Sequence, residues 1–253
     1  METARLGTVG AGYRHYLEWK DPYPRSPAQV AQGLGITEDK LKSQHILVAG
    51  TLRPELLLDI VRCFTLFTEV DGREVKIVPR YQQLRAVYKA IERLQTGKTK
   101  AVDGEFDRRG GFYERSGIIW HTQGSGKSLS MVFLVRKMRT LPVLRRFKIV
   151  VVTDRTKLEK QLADTAILTG EPLQRAKSVS KLKALLREPG AGLVFGMVQK
   201  AQDRGRRRRT PGKTETWGLL NDSEEILLLV DEAHRSHTNT LHANLEDALP
   251  NCA

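Results

Sequence analysis

Apolar runs alternate with helical patterns along the second half of the chain. Strands are predicted over residues 117–121, 148–153, 192–198 and 225–230. Between them, apolar residues at helical spacing predict helices over 127–135, 157–166 and 180–187. Because the strands are apolar throughout, both faces of their sheet should be buried, as in a parallel sheet between layers of helices. The pattern predicts an α/β fold with three layers.

The first part of the chain has a different pattern. Prolines 22, 24 and 27 lie close together, and a helix is predicted over 54–67 with a proline in its first turn. A further amphipathic helix is predicted over 80–94, with Gly97 as its terminator. We therefore predict a mostly helical connector over residues 1–75 and a larger domain over residues 76–253.

A flexible turn separates the first predicted strand from the helix that follows it. Gly124 and Gly126 allow the backbone N–H groups to curl around an anion, and Lys127 adds a positive charge. Ser128 offers a hydroxyl to Mg²⁺, as in the phosphate-binding loops of nucleotide hydrolases. The usual pattern begins with glycine where this chain has His121. The alternative is a glycine turn that has a lysine by chance.

Two adjacent carboxylates follow the last predicted strand. Asp231 and Glu232 come directly after the apolar run 225–230, at the strand end where ligands of open α/β sheets bind. Asp231 is a candidate ligand for Mg²⁺, and Glu232 is a candidate to polarise an attacking water. Both side chains can serve one site only if the chain leaves the extended form there. The alternative is a helix cap or a surface turn.

Charge adds a candidate partner to this picture. The 253 residues include 42 Lys and Arg against 29 Asp and Glu, which gives a net charge of +13. Such a charge suits a polyanion such as nucleic acid, although a basic protein without such a partner is the alternative. The arginine-rich stretch 204–209 is predicted to be an exposed loop. No apolar stretch is long enough to span a membrane, so we predict a cytoplasmic protein.

Four motifs follow one another along the chain: VPRYQQ at 78–83, WHTQGSGKS at 120–128, VVVTDRTKLEKQL at 150–162 and VDEAHRSH at 230–237. In this order they resemble helicase superfamily two, and more closely the motor subunit R of type I restriction endonucleases. The resemblance covers most of the chain. It implies that residues 76–253 form a RecA-like lobe of a P-loop NTPase, preceded in the whole protein by a nuclease domain and followed by a second lobe.

The resemblance also implies roles for single residues. One of the two glutamines at 82 and 83 would read the adenine edge, with a solvated helix face as the alternative. Arg155 and Thr156 would contact the DNA backbone, unless Thr156 or Asp154 caps the next helix. Lys127, Asp231 and Glu232 would be catalytic, and Ser128 and Asp231 would hold the metal. The candidate nucleotide-binding residues are Gln82, Gln83, Thr122, Gly124, Ser125, Gly126, Lys127 and Ser128.

The function implied by the resemblance is ATP-dependent translocation of double-stranded DNA before cleavage. ATP and Mg²⁺ would be the cofactors, and the partners would be methyltransferase (modification) and specificity subunits. This part alone would bind ATP weakly and hydrolyse it slowly, because the second lobe supplies a cation to the reaction. Two alternatives stay open: the motor lobe of another superfamily-two protein, and a non-catalytic basic module that binds nucleic acid.

Overall fold

The structure is a computed structural model that describes residues 3–70, 72–97, 114–120, 126–153, 156–169, 172–197, 216–231 and 240–253. The chain divides into two compact units. The first unit contains Met1–Lys89 and Gly124–Phe133, and the second contains Ala90–Gln123 and Leu134–Ala253. The domain boundary predicted between residues 75 and 76 stays a prediction.

Three short helices follow one another in the first unit. They are α1 (Pro27–Gly33), α2 (Ser43–Thr51) and α3 (Pro54–Cys63). Helices α1 and α3 begin at prolines, whose fixed φ angle suits the first turn of a helix. Ser26 and Gln29 form a capping box at α1, in which each side chain accepts a hydrogen bond from the backbone N–H of the other residue.

The helix predicted over 54–67 is too long. Helix α3 ends at Cys63, where the Thr65 hydroxyl donates to Ile60 O at 2.8 Å. The chain then enters an antiparallel hairpin of β3 (Leu66–Val70) and β4 (Arg73–Ile77). A second, two-residue pairing joins β1 (Arg5–Leu6) to β2 (Leu17–Glu18). The described part of the predicted connector therefore contains short strands in addition to its three helices.

Aromatic side chains form the interior of the first unit. Phe64 is fully buried and stacks on Tyr88, with ring centroids 6.0 Å apart and planes 7° from parallel. The ring of Phe133 lies 5.4 Å from the ring of Phe64. The Tyr88 hydroxyl donates a hydrogen bond to the carboxylate of Asp59. These contacts give the unit a packed core.

Helix α4 (Tyr81–Thr96) confirms the amphipathic helix predicted over 80–94. Its apolar residues recur at helical spacing and are buried. Gly97 follows the helix, and its N–H donates to Arg93 O at 2.9 Å. A Cβ atom at this position would lie 2.7 Å from the same carbonyl and 2.9 Å from the backbone of Glu114, so only glycine fits there. The predicted terminator is confirmed.

A parallel sheet of four strands forms the second unit, in the order β6, β7, β5, β8. The strands are β5 (Lys148–Thr153), β6 (Leu173–Ala176), β7 (Gly192–Met197) and β8 (Ile226–Val230). The helices that complete the described part of the chain are α5 (Lys127–Thr140), α6 (Thr156–Thr169), α7 (Val179–Arg187) and α8 (Thr240–Ala248). The sheet with its flanking helices confirms the predicted α/β class. No described helix has both the length and the apolar character needed to cross a membrane.

Strand β5 lies inside the sheet, and all six of its residues are buried. Its first residue, Lys148, is only 3% exposed. The Lys148 ammonium group donates to Leu185 O at 2.7 Å and to Glu188 O, both at the end of α7. Burial lowers the pKa of Lys148, and the nearby Glu188 partly opposes this shift. The lysine thus satisfies carbonyl groups that a helix leaves unpaired at its C-terminus.

The strand predicted over 117–121 is wrong in its described residues. Residues 117–120 have no strand geometry, and the side chains of Ile118 and Trp120 are 64% and 89% exposed. Just before them, the Arg115 side chain donates to Glu224 O at 3.2 Å and lies over the Phe147 ring. A strand in a parallel sheet needs ladder bonds and burial on both faces. The described residues here have no pairing with any described strand.

Candidate nucleotide site

Helix α5 begins at Lys127, directly after Gly126. The φ angle of Gly126 is 89°, in the left-handed region that glycine adopts without strain. Its carbonyl accepts the first hydrogen bond of the helix, from Ser130 N at 3.2 Å. The N–H groups of the first turn lack partners within the helix and carry the positive end of its dipole. This end of α5 therefore favours an anion such as a phosphate group.

Gln83 connects the start of α4 to Gly126. Its side-chain carbonyl accepts from Arg80 N at 2.8 Å, and its side-chain N–H donates to Gly126 O at 3.0 Å. Gln83 is 2% exposed, whereas the neighbouring Gln82 is exposed. Both ends of the Gln83 amide therefore bind backbone groups, which favours Gln82 as the reader of adenine. That role stays a prediction for both residues.

Asp231 lies at the carboxyl end of β8 and is 5% exposed. Its backbone N–H donates to Val152 O at 3.0 Å, which continues the pairing between β8 and β5 by one residue. Its carboxylate accepts a hydrogen bond from the Thr153 hydroxyl at 3.2 Å. Thr153 is the last residue of β5 and is completely buried. The carboxylate therefore has a defined orientation at the strand end where ligands of open α/β sheets bind.

The sequence that forms this geometry matches the model of a known protein family. Residues 82–253 match the model of the SWI2/SNF2 ATPase family, and the match includes the start of α5 and Asp231. The chain belongs to the SWI2/SNF2 ATPase family. The match and the α/β sheet together thus confirm the predicted fold class and the predicted kind of family.

Relatives of this member of the SWI2/SNF2 ATPase family agree with the resemblance noted from its motifs. The chain is 32% identical over 269 residues to the HindI endonuclease subunit of a type I restriction enzyme from Haemophilus influenzae. It is 33% identical over 260 residues to a putative type I restriction enzyme subunit, MjaIXP, from Methanocaldococcus jannaschii. The two matches cover 99% and 100% of this chain, but 23% of each relative. The resemblance to restriction subunits is therefore confirmed over about a quarter of their length.

Several residues of the chain have the chemistry that a nucleotide with a magnesium ion requires. Mg²⁺ prefers oxygen ligands, and the buried carboxylate of Asp231 and the hydroxyl of Ser128 are such donors. The glycine before α5 adopts a left-handed φ of 89°, which allows a tight turn directly before the helix N-terminus. Lys127 and Ser128 are half-buried in the first turn of α5. Each of these donors suits the predicted cofactors by its own chemistry, and the roles of these residues stay predictions.

Several predicted residues lie outside the described part of the chain. For Thr156, the structure gives only its place as the first residue of α6. The residues outside the description are Thr122, Gly124, Ser125, Asp154, Arg155, Glu232, the arginine stretch 204–209 and the remainder of the motif after Glu232. Their predicted roles are neither supported nor contradicted by the geometry.

Two features of the site were missed in the sequence. Thr153 ends an apolar run and was treated only as part of a strand, although it meets the carboxylate of Asp231. The signal that could have indicated this contact is a hydroxyl at the carboxyl end of a buried strand. The bond from Gln83 to Gly126 joins residues 43 positions apart, and no local pattern predicts it.

Proposed function

We propose that this chain is the ATP-binding part of a motor that moves double-stranded DNA in a type I restriction enzyme. The proposal is supported by the ATPase family and by relatives whose names describe endonuclease subunits of such enzymes. The observation that carries it is the start of α5, where a left-handed glycine is followed by Lys127 at the helix N-terminus. The chain spans 23% of the length of each of these relatives, so the activity of a whole motor is part of the proposal.

The nucleotide would bind at the N-terminus of α5. The N–H groups of the first turn, which have no partner within a helix, would bind phosphate oxygens, and Lys127 would place a positive charge beside the β and γ phosphates. Ser128 and Asp231 would hold Mg²⁺, which neutralises charge that develops on the phosphates when it is bound. Glu232 follows directly in the sequence and would orient the attacking water. Gln82, the exposed glutamine, would read the adenine edge.

Duplex DNA would be the substrate on which the motor acts. The net charge of +13 favours binding to the phosphate backbone without sequence preference. Arg155 and Thr156 would supply backbone contacts of this kind. Sequence recognition would then belong to other components, for which we propose a modification methyltransferase and a specificity subunit.

Replacement of Lys127 by alanine tests the proposal. In the 253-residue chain, Lys127→Ala is expected to weaken binding of a fluorescent ATP analogue by about tenfold to a hundredfold, since charge-assisted bonds to phosphate are lost. Binding of a DNA duplex is expected to change little. The control is Lys181→Ala, which removes the same charge from an exposed position on α7 and should leave nucleotide binding unchanged.

The result also separates the proposal from its main alternative. A chain that binds DNA but shows no nucleotide affinity, with or without Lys127, would be a basic nucleic-acid-binding module. Equal losses for Lys127→Ala and Lys181→Ala would mean that general charge, rather than the start of α5, attracts the nucleotide. Either outcome would contradict the proposed site.

A further inference from the structure

Strands β5 and β8 end at the same level of the sheet. Their pairing runs as far as Val152 opposite Val230, and Asp231 N donates to Val152 O at 3.0 Å. Thr153 and Asp231 are the residues that follow Val152 and Val230 at the ends of these two strands. The Thr153 hydroxyl reaches the carboxylate oxygen Oδ2 of Asp231 at 3.2 Å. The contact thus joins two adjacent parallel strands at the carboxyl edge of the sheet, where ligands of open α/β sheets bind.

Both partners of this contact are buried. Thr153 has no exposed surface, and Asp231 is 5% exposed. A carboxylate at such a position requires hydrogen bonds, because burial of an unpaired charge is costly. At 3.2 Å the bond is longer than the 2.5–2.7 Å typical of a hydroxyl bound to a carboxylate, so it is a weak one. Its main effect is to restrict the directions in which the carboxylate can point.

We propose that Thr153 is a positioning residue that orients the Asp231 carboxylate toward the divalent cation of the bound nucleotide. This inference rests on the proposed function, because it requires that Asp231 bind the metal. Groups that hydrogen-bond to metal ligands fix the ligand's orientation, and their loss typically reduces metal affinity by about tenfold to a hundredfold. Since the bond is long, we expect the lower end of that range.

The experiment measures how Mg²⁺ changes the affinity of the 253-residue chain for a fluorescent ATP analogue. Thr153→Val keeps the shape of the side chain and removes the hydroxyl. We expect this variant to raise the Mg²⁺ concentration that gives half of the full increase in nucleotide affinity by about tenfold. Affinity in EDTA should stay the same, because the phosphate contacts at α5 do not involve Thr153. The conservative variant Thr153→Ser keeps the hydroxyl and should behave as the wild type does.

Two further variants keep the test decisive. In a chain with Asp231→Asn, addition of Thr153→Val should produce no further shift in the Mg²⁺ requirement, because Thr153 acts through that carboxylate. If thermal unfolding shows that Thr153→Val does not fold, Thr153→Cys replaces it. The thiol is a weaker donor than the hydroxyl, so the shift should have the same direction and a smaller size.

The outcomes separate this inference from the proposed function. If nucleotide binding by the wild type does not depend on Mg²⁺, the proposed metal site fails. If the wild type depends on Mg²⁺ and Thr153→Val, or its cysteine substitute, has the same requirement, the positioning role is overturned. Loss of affinity in EDTA as well as in Mg²⁺ would indicate damage to the fold and would also contradict the inference.

Discussion

Gly126 is constrained both by its backbone and by a neighbouring side chain. Its φ of 89° strains any residue that has a Cβ atom. A Cβ atom there would also lie 2.5 Å from the side-chain nitrogen of Gln83. Gln83 has little freedom to move, because it is buried and its other amide atom accepts from Arg80 N. At this residue the requirement for glycine therefore has two separate causes.

The first prediction separates these two causes. Gly126→Ala is expected to lower the free energy of unfolding by about 2–4 kcal/mol, as the sum of left-handed strain and crowding against Gln83. Gly190→Ala is the matched control, because Gly190 has a φ of 86° with no atom within 4 Å of the added Cβ. It should cost about 1–2 kcal/mol. Urea unfolding measures both values. Equal losses of unfolding free energy in the two variants would show that Gln83 moves aside and that crowding adds nothing.

Among single residues, the sequence predicted that a helix begins at Lys127 after a glycine turn, but it did not predict the contacts of the candidate site residues. Gly126 and Lys127 were identified because a glycine before a lysine at a helix start has a local signature. The sequence did not distinguish Gln82 from Gln83, since adjacent amides have the same chemistry and only their burial differs. Thr153 was missed because its partner lies 78 residues away. Such contacts depend on strand register, which is set by the whole sheet.

Tyr88 joins two helices of the first unit. It lies on α4, and its hydroxyl donates to the carboxylate of Asp59 on α3. Its ring also stacks on Phe64, which directly follows α3. Burial raises the pKa of Tyr88, and the nearby Asp59 raises it further. The protonated tyrosine is therefore the form that holds these helices together.

The contribution of Tyr88 to the free energy of unfolding is expected to depend on pH. Tyr88→Phe is expected to lower the free energy of unfolding by about 1–2 kcal/mol at pH 7, because a hydrogen bond to a carboxylate is lost. A raised pKa in the folded state gives stability that is complete below the usual tyrosine pKa of 10. That stability is lost as pH rises above 10, so the difference between wild type and Tyr88→Phe should shrink there. Urea unfolding at pH 7 to 11 measures the difference.

The exposed Tyr13 provides the control for this experiment. It lies in the same unit and is 74% exposed, so Tyr13→Phe removes a phenol without removing a buried bond. Its difference from the wild type should be small and should not change with pH. A constant difference for Tyr88→Phe across the same range would contradict the predicted role of its proton.

At the element scale, burial decided which strands could be predicted. Strands β5, β7 and β8 are apolar throughout, and their predicted positions agree with the structure to within one residue. Strand β6 reads LQRA and was missed, because among the described strands it pairs with β7 alone and leaves Arg175 exposed. The run at 117–120 is equally apolar, yet it forms no strand. Apolar character alone therefore does not tell where a segment packs.

The hairpin of β3 and β4 had a local signal that was passed over. An Asp-Gly pair separates the two strands, and the φ of Gly72 is 72°. Such a pair between β-branched and aromatic residues is a strong indication of a hairpin. The apolar run before it continued the pattern of α3, so the helix was extended too far. Turn chemistry would have corrected the boundary.

For the whole molecule, net charge is the property that connects the chain to its proposed substrate. The charge of +13 acts at long range and is screened by salt. We expect it to give affinity for any duplex, because phosphate groups are the same in every sequence. The proposed motor needs this kind of contact, since it must move along DNA regardless of its sequence.

The third prediction follows from this charge. Binding of the chain to a duplex of arbitrary sequence should weaken by about tenfold or more between 50 and 200 mM salt, which corresponds to roughly two or more phosphate contacts. A second duplex of unrelated sequence should show the same loss. Fluorescence anisotropy measures both, and thermal unfolding at each salt concentration checks that the protein stays folded. Affinity that does not change with salt would rule out a role for the net charge.

The buried Lys148 fixes more than the end of a helix. Adjacent side chains of a strand point to opposite faces, so a slip of β5 by one position would turn the ammonium group away from the carbonyls of α7. The same slip would carry the Thr153 hydroxyl away from Asp231. The contacts of Lys148 at the first residue of β5 therefore disfavour a slip by one position. In that slip Asp231, at the opposite end of the strands, would lose its hydrogen bond from Thr153.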